Sequence, residues 1–401
     1  MGKQPLSNLA TIHYGKSQKE VQVHHSPYPI FGTGGQIGFA SRPLFEAPAI
    51  TVGRKGTLGN PLYSEQPFWT IDTAYAVIPK PNTDAKWLYY QLCNYDLESL
   101  NEATGVPSVS RDYLYRIKIF TVPLPEQRKI ARILTTLDSA ITRTEQLIAK
   151  YEAIKQGLMA DLFTRGVGED GRLRPSVSEA PELYWESELG WLPRGWEVKE
   201  LDDVIRIIDC KHYTPNFTDD SGIPFVRPRN VKLEGLDFSD IDYVTEEDYQ
   251  LLTDKHEPRK GDIVFSRNAS FGVPCYVESD IRFAIGQDVV IMVETNTSSR
   301  FVYYTLLTDI IKRQIVQVST GSTFGRINLG FIRKFLVPVP KSNEQLMISE
   351  KLKAIDKNID QEKEVLAKLQ LQKHGLMQDL LTGRVRVTID EEGTTDGEFN
   401  G

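Results

Sequence analysis

The feature that most constrains this chain is that it is written twice. "GLMADLFTRGV" (Gly157–Val167) returns 218 residues later as "GLMQDLLTGRV" (Gly375–Val385). Upstream, "VPLPEQRKIARIL" (Val122–Leu134) is matched by "VPVPKSNEQLMISEKL" (Val337–Leu352). "ATGVPSVSRDYLYRIKI" (Ala103–Ile119) is matched by "STGSTFGRINLGFIRKF" (Ser319–Phe335), and "KWLYYQL" (Lys86–Leu92) by "RFVYYTL" (Arg300–Leu306). "AITVGRKGTLGNPLY" (Ala49–Tyr63) has its partner in "DIVFSRNASFGVPCY" (Asp262–Tyr276), which sets Arg54 against Arg267 and Gly59 against Gly272. A tandem duplication of roughly 200 residues means that one folding problem is solved twice in this chain.

Each half divides into a mixed part and a long helix. Short β-branched runs such as "APAITVGR", "TAYAVIP", "GDIVFSR" and "DVVIMVE", bounded by Gly and Pro, predict strands. A helix follows at about 85–100 and again at about 299–318. The long helices are announced by Pro125-Glu126-Gln127 and Asn343-Glu344-Gln345, residues suited to exposed N–H groups and the positive end of a helix dipole. In steps of four and three the first presents Ile130, Leu134, Leu137, Ile141, Thr144, Ile148, Tyr151, Lys155, Leu158 and Leu162. The second presents Ile348, Leu352, Ile355, Ile359, Glu362, Leu366, Leu369, Lys373, Leu376 and Leu380. A heptad seam held this long predicts a coiled coil, and two matched seams in one chain predict that they pair with each other, antiparallel. The expected fold is α+β: a tandem duplication of a mixed α/β domain followed by a long helix, with pseudo-twofold symmetry. The predicted boundaries are a mixed domain over 1–122, a helix over 123–166, a Pro/Gly/Ser/Glu-rich linker over 167–195, a second mixed domain over 196–340, and a second helix over 341–387. Residues 388–401 form an acidic tail with five acids and no base, expected to be disordered.

Several function classes are excluded by what the motifs lack. No Walker sequence is present, and "GRKGTLG" keeps only its last glycine in the repeat partner "SRNASFG", so it is not a phosphate loop. The pairs His24/His25 and Cys210/His212 have no second ligand cluster, so no metal is expected. Three scattered cysteines, Cys93, Cys210 and Cys275, fit a reducing cytoplasm, and no apolar run is long enough to span a membrane. No nucleophile elbow or paired-carboxylate nuclease pattern occurs, and no catalytic constellation emerges. The chain reads as a binding protein that carries no cofactor of its own.

Two similar domains on a two-helix rod match the local twofold axes of duplex DNA, and domains of different sequence predict different half-sites, hence a bipartite, non-palindromic target. Base-reading groups are expected on loops. In the first domain the candidates are Thr33 and Gln36, then Arg54, Lys55 and Thr57, then Ser108, Ser110 and Arg111. In the second they are Arg227, Arg229 and Asn230, then Arg267, Asn268 and Ser270, then Ser322, Thr323 and Arg326. The net charge of −7 offers no global attraction for a polyanion, so local patches or a basic partner must supply it. Residues 1–122 carry 11 Lys and Arg against 9 Asp and Glu, whereas residues 196–340 carry 17 against 22.

With "VPLPEQRKIARILTTLDSAI" and "GLMQDLLTGRVRV" as its clearest marks, the chain resembles the specificity subunit of type I restriction-modification systems. "YPIFGTGGQIGF", "GRKGTLGN", "WTIDTAY" and "GVPSVSRDYL" resemble that family's target recognition domains. The resemblance implies two target recognition domains separated by helical spacers, and a cytoplasmic complex on double-stranded DNA. It also implies two adenine-N6 methyltransferase subunits that bind S-adenosylmethionine, and restriction/translocase subunits that use ATP and Mg. One departure is that the first domain begins near Met1 without a counterpart of "LPRGWEVKEL" (Leu192–Leu201). The rival expectation is a scaffold whose coiled coil joins two protein-binding domains.

Overall fold

A computed structural model describes residues 2–268, 272–319 and 326–388. The predicted acidic tail beyond Thr388 lies outside the described residues. The chain forms two compact units, Met1–Leu147 with Glu362–Gly401, and Ile148–Gln361. Each unit therefore combines a mixed domain, the start of the long helix that follows it and the end of the other long helix; in unit 1 that end comes from a distant part of the chain, whereas unit 2 is one continuous segment.

The duplication extends to the topology of the two main sheets. Unit 1 has a four-stranded antiparallel sheet in the spatial order Ala10–Tyr14, Ala74–Pro79, Ala49–Gly53, Leu62–Ser64. Unit 2 repeats it as Ile205–Asp209, Val289–Glu294, Ile263–Ser266, Pro274–Tyr276. The inner strand Ala49–Gly53 is buried along its whole length, as is its counterpart Ile263–Ser266, and the buried Thr51 hydroxyl is satisfied by Thr70 Oγ1 at 2.9 Å. A second sheet follows the same rule: Gln22–Val23, Gly35–Ala40, Tyr28–Gly32 and Trp69–Thr70 in unit 1, and Phe217–Thr218, Asp242–Val244, Ile223–Val226 and Ala284–Ile285 in unit 2. In both copies the last pair is parallel. The two units differ where Tyr28–Gly32 turns directly into Gly35–Ala40, whereas unit 2 makes an excursion over residues 227–241 that includes its own hairpin, Val231–Lys232 with Gly235–Leu236.

The start of the first domain is better matched than the sequence suggests. Gly2–Pro5 pairs with Lys118–Thr121 as Glu197–Glu200 pairs with Leu336–Val339. Leu6 N–H then donates to Ile117 O at 3.0 Å, as Leu201 N–H donates to Phe335 O at 2.8 Å. So "KQPLSNL" is the counterpart of "VKELDDV", hidden because the two share backbone roles and only the buried pairs Leu6/Leu201 and Leu9/Val204.

The long helices run over Leu124–Thr164 and Ser342–Leu380. In unit 1 Glu126 pairs with Arg386, Ile130 and Leu134 share a core with Leu376 and Leu380, and Asp138 pairs with Lys373 at 2.6 Å. Ascending one helix thus means descending the other, so the predicted antiparallel pairing holds there. Unit 2 repeats the sequence of contacts: Glu344 with Arg174, Ile348 and Leu352 with Leu158 and Leu162, Asp356 with Lys155 at 2.6 Å. Lys155 and Lys373, polar interruptions of the heptads, are thus interhelical ion-pair partners. Ile130, Leu134, Ile148, Leu162, Ile348, Leu352, Ile359 and Leu380 are buried, while Leu137, Ile141, Tyr151, Leu158, Ile355, Leu366, Leu369 and Leu376 are half-buried. Two helices alone leave the flanks of a seam open to water, and most of the fully buried positions are those that a mixed-domain core also covers.

The helix starts are tied down by side chains. Gln127 accepts from the Asp84 N–H at 2.8 Å and donates to Val122 O at 2.8 Å. Gln345 accepts from the Ser298 N–H at 3.2 Å and donates to Pro340 O at 2.8 Å. Glu344 receives Arg174 Nη2 at 3.0 Å and the Val167 N–H at 2.8 Å. Gly166, at φ +63°, is required here, because a Cβ would lie 2.3 Å from both Arg174 Nη1 and Glu344 Oε1.

Arg174→Met should cost about 3 kcal/mol, the low end of the range for breaking a buried pair, since the guanidinium keeps some solvent contact. Denaturant melts would measure it, and the double variant Arg174→Met/Glu344→Gln should recover more than half. Equal losses in the single and double variants would mean that the buried charge is not the cause.

Candidate nucleic-acid interface

Three loops of unit 1 converge at one end of its sheets. Arg54 and Lys55 N–H groups both donate to Thr73 O, at 2.9 and 3.0 Å. Gly56 N–H donates to Pro107 O at 2.8 Å, Val109 N–H donates to Arg54 O at 3.0 Å, and Lys55 bridges to Ser108. Gly56 sits at φ +95°, and the space its side chain would occupy lies 3.5 Å from Thr33 Oγ1. The sequence candidates Thr33, Arg54, Lys55 and Ser108 are thereby neighbours. Thr57 is exposed on the same loop, and Gln36 is exposed on the adjoining hairpin, donating to Gly38 O at 3.3 Å. Ser110 caps the short helix Arg111–Arg116 by accepting from the Tyr113 N–H at 3.3 Å, which fixes Arg111 at the loop's edge.

Tyr14, which the sequence did not single out, organises the cations of this cluster. The residue is 46% exposed, and the guanidinium carbons of Arg54 and Arg111 lie 5.1 and 5.2 Å from its ring centroid. Tyr75 meets Tyr14 edge-on at 5.2 Å and donates to Val109 O at 3.2 Å. Burial, reinforced by Tyr14, pushes the Tyr75 phenol up to about 12, so it stays a neutral donor. Arg54 also donates to the main-chain carbonyl of Asp72 at 3.2 Å, and Arg111 Nε is buried without a hydrogen-bond partner. Among the described residues, no carboxylate forms an ion pair with Arg54, Lys55 or Arg111. Tyr14 lies 40 residues before Arg54 and 97 before Arg111, a separation at which sequence carries no contact signal.

Unit 2 uses the same framework with different chemistry. Arg267 N–H donates to Asp288 O at 2.8 Å, Ile327 N–H donates to Arg267 O at 2.9 Å, and Asn268 bridges to Arg326. These bonds make Ser108 equivalent to Arg326, two residues away from the sequence match of Ala103–Ile119 with Ser319–Phe335. Arg267 itself is buried, donating to Asp209 Oδ1 at 3.0 Å and to Ile327 O at 3.1 Å. Asn268 donates to Asp288 at 3.2 Å, and Arg326 pairs with Asp288 while remaining 44% exposed. In the 227–241 excursion Arg227 pairs with Asp242 at 3.2 Å and stands over Phe217 and Phe225 at 5.0 and 5.6 Å. Arg229 reaches Asp242 at 3.3 Å and Asp240 at 3.7 Å. Asn230 is buried, accepting from Arg227 N–H at 3.1 Å and donating to Asp237 and Asp240 carbonyls at 3.0 Å, so it braces the loop. Ser270, Ser322 and Thr323 lie outside the described residues.

Among the described residues no group of three or more His, Cys, Asp or Glu is placed to hold a metal. No described helix is long and apolar enough to cross a membrane. Burial pushes the thiols of Cys210 and Cys275 up to about 11 and about 12, which keeps them protonated and unreactive.

The family described as type I restriction modification DNA specificity domain matches residues 4–153 and 193–371. The type I restriction enzyme MjaVIII specificity subunit of Methanocaldococcus jannaschii is 26% identical over 386 residues, 92% of this chain and 82% of that protein. The MjaIX specificity subunit of the same organism is 22% identical over 395 residues, 95% of this chain and 85% of that protein. The crystal structure of a type I restriction-modification system S subunit from M. genitalium shares the fold, with a TM-score of 0.65 at 18% identity, covering 94% of this chain and 95% of that one. With both halves matched in sequence and repeated in sheet topology, this chain belongs to the type I restriction-modification DNA specificity family.

Proposed function

We propose that this specificity subunit reads a bipartite, asymmetric DNA target, one half-site per unit, and docks methyltransferase subunits that perform the chemistry. The observation that carries the reading is the pair of equivalent loop sets on one topology with different side chains. Thr33 sits in a tight turn where unit 2 has residues 227–241, and the Arg54 loop faces Tyr14 where the Arg267 loop faces Asp209. Equal frameworks suit equal approaches to a duplex, and unequal side chains suit unequal base sequences. In unit 1 the reading assigns DNA contact to Thr33, Gln36, Arg54, Lys55, Thr57, Ser108 and Arg111, with Ser110 holding Arg111's helix. In unit 2 it assigns contact to Arg227, Arg229, Asn268 and Arg326, while Arg267 and Asn230 shape the loops from within. Ser270, Ser322 and Thr323 are proposed on residue chemistry alone. The chemistry is assigned to partners: two adenine-N6 methyltransferase subunits with S-adenosylmethionine, and restriction subunits with ATP and Mg.

Methylome sequencing of cells expressing this chain with its cognate methyltransferase should return one motif with two specific parts separated by a non-specific spacer. A continuous palindrome would sink the reading. Failure of any such complex to shift duplex DNA would return the chain to the scaffold alternative.

The two equivalent arginines should behave differently. Arg54→Ala should weaken binding to targets intact in unit 1's half-site without changing the melting temperature. Arg267→Ala should destabilise unit 2 by about 2–3 kcal/mol, because it removes a buried charged donor from Asp209 and the Ile327 carbonyl. Differential scanning calorimetry beside anisotropy titration separates the two effects, and an unchanged melting point for Arg267→Ala would contradict the assignment.

A further inference from the structure

Strand pairing identifies one position where the two units part electrostatically. Ala10–Tyr14 runs against Pro79–Tyr75 as Ile205–Asp209 runs against Glu294–Val290, so Tyr14 and Asp209 are equivalent. In unit 2 the carboxylate at this place neutralises Arg267. In unit 1 the aromatic ring holds Arg54 and Arg111 by cation–π contact, which orients a guanidinium without cancelling its charge. Arg111 has no cationic counterpart either. It follows the helix cap Ser110, and the residue following the equivalent cap Asn328 is Leu329.

The surrounding charges extend the contrast. Near the unit 1 cluster, Asp72 offers Arg54 its carbonyl, and the Glu102 carboxylate accepts the Ser110 N–H at 2.6 Å. In unit 2 Arg227 and Arg229 pair with Asp242, and Arg326 pairs with Asp288. The balance of 11 bases to 9 acids over residues 1–122, against 17 to 22 over residues 196–340, has the same sign.

We propose that Tyr14, Arg54 and Arg111 form a phosphodiester-binding cluster, and that unit 1 supplies the larger share of this chain's salt-dependent DNA affinity. The proposal rests on the DNA-reading function above. A guanidinium fork matches two phosphate oxygens, and each phosphate neutralised by an unpaired cation releases condensed counterions. A cation already paired with Asp must surrender that partner first, so its net gain from a phosphate is smaller. Unit 2 then contributes chiefly through hydrogen-bonding groups and shape, terms that vary little with salt.

The test uses the full chain assembled with its methyltransferase partner on a fluorescein-labelled duplex carrying the methylome-defined motif, titrated across a range of salt. Arg54→Gln and Arg111→Gln should each lower the slope of log K against log salt by about 1. Tyr14→Asp, which gives unit 1 the carboxylate of unit 2, should lower it at least as much. Arg227→Gln and Arg229→Gln should each lower it by less than half of that. Arg54→Lys, which keeps the charge, should restore most of the slope lost in Arg54→Gln. Slopes that fall equally for variants of both units would overturn the proposal, as would unchanged slopes for Arg54→Gln, Arg111→Gln and Tyr14→Asp in a complex that still binds. An Arg54→Lys slope as low as that of Arg54→Gln would overturn it too, because the effect would then be structural. A wild-type complex that does not bind the duplex overturns the DNA reading itself.

Discussion

The paired carboxylate and guanidinium at each helix start are the interaction on which both units depend. Glu126 sits 2% exposed at the head of the first long helix and is met by Arg386 from beyond the end of the second. Glu344 heads the second long helix and is met by Arg174 from beyond the end of the first. A carboxylate this buried is tolerable only with a partner. Each mixed domain is thereby closed by residues from the opposite repeat, although 260 positions separate Glu126 from Arg386. Gln91 adds to the closure of unit 1 by donating to Leu381 O at 3.0 Å. The loops at the sheet ends rest on cores that these closures complete, so their shape depends on both repeats being present.

A second pair of interactions fixes how each domain meets its helix pair. Tyr90 donates to Asp138 at 2.6 Å and Tyr304 donates to Asp356 at 2.7 Å, and each Asp also takes a lysine from the antiparallel helix, Lys373 or Lys155. One carboxylate thus joins three elements: the domain helix, its own long helix and the other long helix. Desolvation by burial, with the neighbouring Asp, pushes both phenols well above their ordinary value, so they remain donors at any physiological pH. The lysines that interrupt the heptads, Lys155 and Lys373, are therefore register pins. A seam of Leu and Ile alone tolerates sliding by a heptad, whereas a lysine with one carboxylate partner does not.

The architecture was legible in the sequence because duplication and heptads are periodic, and periodic signals survive divergence. The roles of the loop arginines were not, because they depend on residues far away in the chain. Arg54 and Arg267 look alike in their local sequence, and what separates them is the residue at the end of another strand, Tyr14 or Asp209. Asn230 reads as a base-contacting amide until its three hydrogen bonds to its own loop are seen. The two-residue shift in the match around Ser108 and Arg326 has the same origin, since the register there is set by main-chain bonds that carry no residue signature.

Those main-chain bonds also explain how one scaffold can carry two different sets of loop side chains. The link from Val109 N–H to Arg54 O in unit 1 recurs as Ile327 N–H to Arg267 O in unit 2, and the bridge Lys55 to Ser108 recurs as Asn268 to Arg326. None of these contacts uses a side chain, so the loops keep their spacing whatever residues they display. Substitution at Tyr14, Lys55, Ser108 or Arg111 then changes charge and hydrogen-bonding pattern at nearly constant geometry. The exception is where a side chain turns inward, as Arg267 and Asn230 do, and at such a position a change of residue is a change of fold stability before it is a change of specificity. Divergence between the two units is therefore expected to concentrate on outward positions of a shared loop frame.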